Sequence, residues 1–258
     1  MTLQTNRPIL TSIAALILCC LFAGASLAGQ PCPGAAQAGN AQMAHGRALG
    51  ESMLAAFASQ ADVRLEAVLQ NLRTLALTGE VRSGKWENMQ QLIAAFQAQN
   101  PQLLIFYINP DGSYYTAEMG LTGKNLSDRA YFPGLMAGNE VLGDIVVGKT
   151  SGKRSFIVGA PIVEQGQVTG AMGAAVYADN LTAAMENSMP IPQSMVILAT
   201  DKNNTLALCT GLDEGVTRPC QTAGVAPCLA AEKPGRSLSI TSSLTGWKFS
   251  IVGAGCKK

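Results

Sequence analysis

The sequence predicts an α+β fold, with one long amphipathic helix packed on a five-stranded antiparallel sheet and a smaller β-rich module after it. Three observations carry this. Glycine and proline are absent from Glu51 to Thr78, where apolar residues recur at helical spacing. From residue 103 the pattern changes to short β-branched and aromatic runs divided by Gly-rich turns. Four cysteines then fall within the last 50 residues, Cys209, Cys220, Cys228 and Cys256.

Element by element, residues 1–28 read as an export signal. Arg7 opens a charge-free apolar run, and Ser26-Leu27-Ala28 offers the small residues that signal peptidase reads. Cleavage after Ala28 would leave a secreted, periplasmic protein; the alternative is an uncleaved N-terminal membrane anchor, since the run is about as long as a minimal spanning helix. Residues 29–40 form a Gly/Ala/Pro/Gln linker. Leu54, Phe57, Ala61, Leu65, Val68, Leu72 and Leu75 then make one helical stripe ending near Gly79. That stripe is either the face packed on the domain or a seam for a homodimer. A shorter helix carries Trp86, Met89, Ile93 and Phe96 and stops at Asn100-Pro101.

The sheet follows as an antiparallel meander of strands at 103–108, 114–116, 141–147, 155–163 and 168–177, with Asn109-Pro110-Asp111-Gly112 as the strongest turn signal. Asp179 is placed to cap a helix over 180–189, and Pro190 and Pro192 mark a boundary. The first module thus spans 41–190, and a disulfide-containing second module spans 191–258, with hairpin strands at 195–199 and 205–208 and late strands at 237–242 and 247–252. The four tail cysteines suit an oxidising compartment and admit three pairings; Cys32 is left odd.

Composition narrows function. The 18 Lys and Arg against 17 Asp and Glu give no electrostatic footprint for nucleic acid. A single histidine, His45, leaves little for a catalytic triad or a multi-histidine metal site. Neither an enzyme, a metal nor a cofactor is therefore expected. Residues 143–150 satisfy the GxxxxGK[ST] pattern of a phosphate loop, but Ile145, Val146 and Val147 are strand formers and no helix is expected after Thr150, so nucleotide binding is rejected.

The informative stretch is residues 125–132, Asn-Leu-Ser-Asp-Arg-Ala-Tyr-Phe, close to Phe106, Tyr107, Tyr114 and Tyr115. Such an aromatic concentration suggests a walled pocket, and Arg129 beside it can hold a carboxylate through two parallel N–H bonds. The competing reading makes Asp128 and Arg129 a loop-fixing ion pair with the aromatics as core.

This order of parts resembles the Cache sensor domains, extracytoplasmic relatives of the PAS fold. The likeness runs through the long helix, the NPDG-type turn, Asp128-Arg129-x-Tyr131-Phe132, the Gly143-Asp144 strand, and the Gly-rich turns at 150–153 and 166–167. It covers roughly residues 41–180, and the tail looks like an abbreviated second module of the double Cache type.

The resemblance implies a binding module for a small metabolite, with Arg129, Tyr131 and Phe132 gripping a carboxylate and Asp144 able to meet an amino group. Tyr107 and Tyr115 are further candidate wall residues, and Lys149 a second cation. Amino-acid-binding members look to carry another Asp where this chain has Ala174-Ala175-Val176-Tyr177, so a small organic acid is expected rather than an amino acid. No output domain follows in this sequence, so a stand-alone sensor acting through a separate membrane-bound signalling partner is expected. The alternative is a structural or protein-interaction module that keeps the fold without a ligand.

Overall fold

The computed structural model describes residues 33–192, 195–210 and 238–253. Their contacts divide the chain into two units, with the boundary between Gly46 and Arg47. The leader, Cys32 and Cys220, Cys228 and Cys256 lie outside the described residues.

Helix α1 (Pro33–Ala76) is followed by α2 (Gly79–Arg82) and α3 (Trp86–Gln99). The backbone is already helical at Pro33, so most of the segment expected as linker is helix; Ala and Gln outweigh Gly34 and Gly39 there. The stripe is resolved in favour of packing within this chain: Leu54, Phe57, Ala61, Leu65, Leu72 and Leu75 are all buried. A dimer through α1 would have to use the opposite face, where Ala48, Ser52, Ala55, Ser59 and Val63 are exposed.

The larger sheet has six strands, β1 (Leu103–Ile108), β2 (Ser113–Thr116), β3 (Gly120–Asn125), β4 (Val141–Val147), β5 (Arg154–Glu164) and β6 (Gln167–Tyr177), in the order β3-β2-β1-β6-β5-β4. Two corrections follow. The sheet has six strands rather than five, because β3 occupies residues 120–125, where the sequence predicts no strand. Gly120, Gly123, Lys124 and Asn125 carry little strand propensity, and pairing of Tyr115 with Leu121 and Thr116 with Gly120 holds this edge strand instead. Nor is the sheet a plain meander, since β1 pairs with β6 at its centre.

Short helix α4 (Phe132–Met136) connects β3 to β4, and α5 (Ala178–Ser188) follows β6. Tyr177 rather than Asp179 is the residue before α5, and Asp179 sits within its first turn. The smaller sheet comprises β7 (Met195–Thr200), β8 (Leu206–Cys209), β9 (Leu238–Thr241) and β10 (Lys248–Gly253), ordered β8-β7-β10-β9.

Strand alternation sorts the core. One face of the large sheet, carrying Ile105, Tyr107, Phe156, Val158, Met172 and Ala174, packs with α1, α3, Ile197 and Phe249 of the small sheet, and Trp247 just before β10. The other face carries Phe106, Ile108, Ile157, Ala171 and Ala175 and meets Leu126, Tyr131, Phe132 and Leu135. Trp247, 1% exposed, joins the two sheets: its ring centroid lies 4.6 Å from that of Phe156, and its Nε1 donates to the Gly143 carbonyl at 3.2 Å. Gly143 adopts φ +87° at a bulge in β4, where a Cβ would stand 3.1 Å from the indole. Asp62 of α1 accepts from Ser242 Oγ at 2.7 Å, tying the helix to the turn before Trp247.

Candidate functional site

The second face of the large sheet supports a small cavity. Its floor is Leu104 and Phe106 of β1, Val146 of β4, Ile157 of β5 and Ala175 of β6; Tyr114, Leu126, Arg129 and Tyr131 line its sides, together with residues 148–151, the turn between β4 and β5. The volume is about 30 Å³, room for about one or two waters. Two cations and no acid belong to this lining.

The approach to Arg129 is set by the NPDG turn. Gly112, at φ +85°, lies so close to the next segment that a Cβ would meet Asn125 Oδ1 at 2.5 Å and Ser127 N at 2.7 Å. The Gly112 carbonyl accepts from Leu126 N at 2.8 Å, and Asn125 Nδ2 donates to the Asp111 carbonyl at 2.9 Å. These bonds lock residues 125–129 beside the sheet.

Around the cavity, Lys149 Nζ donates to Asp128 Oδ1 at 2.6 Å, to Asp128 Oδ2 at 2.7 Å and to the Asn125 carbonyl at 2.7 Å. Hydrogen bonding from Lys149 is the chief reason the Asp128 carboxyl is held below the usual range. The ion pair expected between Asp128 and Arg129 is therefore made with Lys149. Arg129 instead gives one guanidinium N–H to the Val147 carbonyl at 2.8 Å, the only hydrogen bond of its side chain to the described residues. The turn is pinned further by a hydrogen bond between the Tyr114 and Thr150 hydroxyls and by Lys124 Nζ donating to the Lys149 carbonyl. Burial pushes the Tyr131 phenol well above its usual range, so it stays neutral.

Of the site residues expected from sequence, the structure brings Arg129, Tyr131 and Lys149 to the cavity. Phe132 is buried beside it without lining it. Tyr107 and Tyr115 lie on the opposite, helix-covered face, where Tyr115 stacks on Trp86 at 4.9 Å. Asp144 is exposed on β4 and does not line the cavity, although desolvation of its carboxyl raises its pKa. Of the four aromatics that suggest a walled pocket, Phe106 and Tyr114 line this cavity, with Leu104 beside them; strand alternation distinguishes them from Tyr107, Tyr115 and Ile105 once the cavity face is known. Residues 143–147 are strand and no helix follows Thr150, so the phosphate-loop pattern has no structural counterpart. Among the described residues no group of three or more His, Cys, Asp or Glu side chains is placed to hold a metal, and no helix is long and apolar enough to cross a membrane.

No family model matches the sequence, and no curated protein does. Solved structures do. The sensory domain of the Campylobacter jejuni chemoreceptor Tlp3 with isoleucine bound is similar at TM-score 0.59 and 10% identity, over 85% of this chain and 97% of that one. The sensor domain of the V. cholerae histidine kinase DctB gives TM-score 0.61 and 14% identity, over 82% and 98%. The ligand-binding domain of the Pseudomonas aeruginosa PAO1 amino acid chemoreceptor PctB, in complex with L-Arg, gives 0.58 and 15%, over 76% and 90%. All three are sensor domains rather than enzymes. With its long helix, six-stranded antiparallel sheet and smaller four-stranded sheet, the chain has the Cache-type fold of sensor domains.

Proposed function

We propose that the chain is an extracytoplasmic sensor module that binds a small organic acid in the cavity between Arg129 and the 148–151 turn, and acts through a separate membrane signalling partner. The observation that carries this is the charge of the lining: Arg129 and Lys149 face the cavity, and no carboxylate does. A carboxylate ligand finds a guanidinium with four N–H groups uncommitted among the described residues. An α-amino group finds no acid in the lining, because Asp144 is off the cavity and Ala175 stands in its floor. The matched chemoreceptor domains, solved with isoleucine and L-Arg, support a small-molecule role of this kind. Export by the 1–28 leader and a cross-linked tail belong to the same reading; Cys209 is disulfide-bonded, which supports the second.

A second reading, an interaction module that keeps the fold without a ligand, is favoured by the cavity's 30 Å³. Titration calorimetry with acetate, propionate, pyruvate and succinate, against L-alanine and L-isoleucine, separates the two. Acids are expected to bind and amino acids to bind more weakly. Arg129→Ala leaves a ligand charge without its partner, a loss of roughly 2 to 5 kcal/mol, and Arg129→Lys restores only part of it. Absence of binding by every acid overturns the proposal in favour of the second reading.

A further inference from the structure

We infer that Asp128 is an internal competitor for the anion site: its carboxylate holds Lys149 in the ligand-free molecule and is displaced from it by an incoming carboxylate. This rests on the proposed carboxylate function. An ammonium has three N–H groups, and Lys149 already makes three contacts, two with Asp128 and one with the Asn125 carbonyl. It has no donor left for a ligand. The same contacts hold residue 149 and its turn against the cavity, whose volume is about 30 Å³, too little for a metabolite. The turn must lift before anything larger than water enters.

Four side chains pin that turn: Tyr114 to Thr150, Lys124 to the Lys149 carbonyl, Arg129 to the Val147 carbonyl, and Asp128 to Lys149. Of these, only the last is a carboxylate–ammonium pair that a ligand carboxylate replaces like for like. The two ends differ in exposure. The Asp128 side chain is 66% exposed and rehydrates readily on release, whereas the Lys149 side chain is 26% exposed and stands at the cavity wall. An exposed pair of this kind is weak, so an incoming carboxylate breaks it at little cost. The structure thus assigns to Asp128 the setting of affinity: it holds the turn shut when the site is empty and does not contact the ligand when it is full.

The test uses the ligand-free protein and two named probes, propionate and succinate. Hydrogen exchange at the amides of residues 149–152 is compared between the wild type and Asp128→Asn; the variant is expected to exchange about threefold faster or more, since the closed population falls. Its affinity for the probe that binds is expected to tighten about threefold. The same comparison is made in a Lys149→Met background, where Asp128→Asn is expected to change affinity no further. Equal exchange in the wild type and Asp128→Asn overturns the inference, as does tightening that persists with Met at 149, which identifies long-range repulsion. Equal affinities of the wild type and Asp128→Asn overturn the displacement alone. No binding of either probe to any of the four proteins overturns the carboxylate reading and the displacement with it.

Discussion

Trp247→Ala is expected to remove the largest single tie between the two sheets. The indole is 1% exposed, stands 4.6 Å from the Phe156 ring and 6.3 Å from that of Phe249, and donates to the Gly143 carbonyl. Truncation of a buried Trp of this kind costs about 3–5 kcal/mol, which in a unit of this size lowers Tm by about 6–20 °C. Trp247→Phe keeps an aromatic in the cluster but leaves the Gly143 carbonyl without its donor, about 1–3 kcal/mol and a smaller fall in Tm. Circular dichroism melts of the wild type and both variants read the order directly. Because Trp247 packs in the same buried cluster as α1, β5 and the small sheet, all three proteins are expected to melt in one transition. If Trp247→Ala melted within 2 °C of the wild type, or if the small sheet melted separately in the wild type, the reasoning that this side chain holds the sheets together would fail.

Gly112→Ala forces a Cβ into the φ +85° turn and against Asn125 and Ser127; the left-handed backbone alone costs about 1–2 kcal/mol, and thermal melts check it, an unchanged Tm meaning that the turn relaxes freely. Glu140 receives two hydrogen bonds at 2.6 Å from Arg73, and this is the chief reason its carboxyl is held below the usual range. Its contribution is therefore present above the unfolded pKa and lost as pH falls through the folded value. Both side chains are more than a third exposed, so Glu140→Gln should cost under about 1 kcal/mol near neutral pH, with the gap closing below roughly pH 4. Urea melts at both pH values decide it, and a gap that survives at low pH removes the ion pair as the cause.

The parts of the fold that were legible are those where one periodicity dominates. The α1 stripe and the β1, β5 and β6 runs have apolar residues at a single spacing, because each buries one face or both in the same core. What was not legible is held by partners rather than by propensity. The β3 strand has glycines at 120 and 123 and polar residues at 124 and 125, and becomes strand only because β2 offers an unpaired edge. The central pairing of β1 with β6 joins segments about seventy residues apart, and no local signal specifies it. The early start of α1 at Pro33 is the converse case, in which good helix formers prevail over two glycines.

Of the candidate site, the sequence points to the charged residues of the cavity lining but not to the parity of the strands beneath it. Arg129, Tyr131 and Lys149 reach the cavity, whereas Tyr107 and Tyr115 face the helices, because neighbouring strand residues point to opposite faces and an aromatic run such as Phe106-Tyr107 does not declare which face is which. Register decides it: Leu104 pairs with Ala175 and Phe106 with Gly173, so small residues of β6 lie beside the larger cavity-side residues of β1. The counter-ion of Asp128 is a further case. Adjacent residues in the sequence suggested Arg129, but the β4–β5 turn brings Lys149 from 21 positions away. That exchange of partners leaves Arg129 with uncommitted donors toward the cavity and gives the second cation to a solvent-exposed acid. On the proposed reading, a ligand that meets both cations brings its own negative charge and takes the place of Asp128 on Lys149.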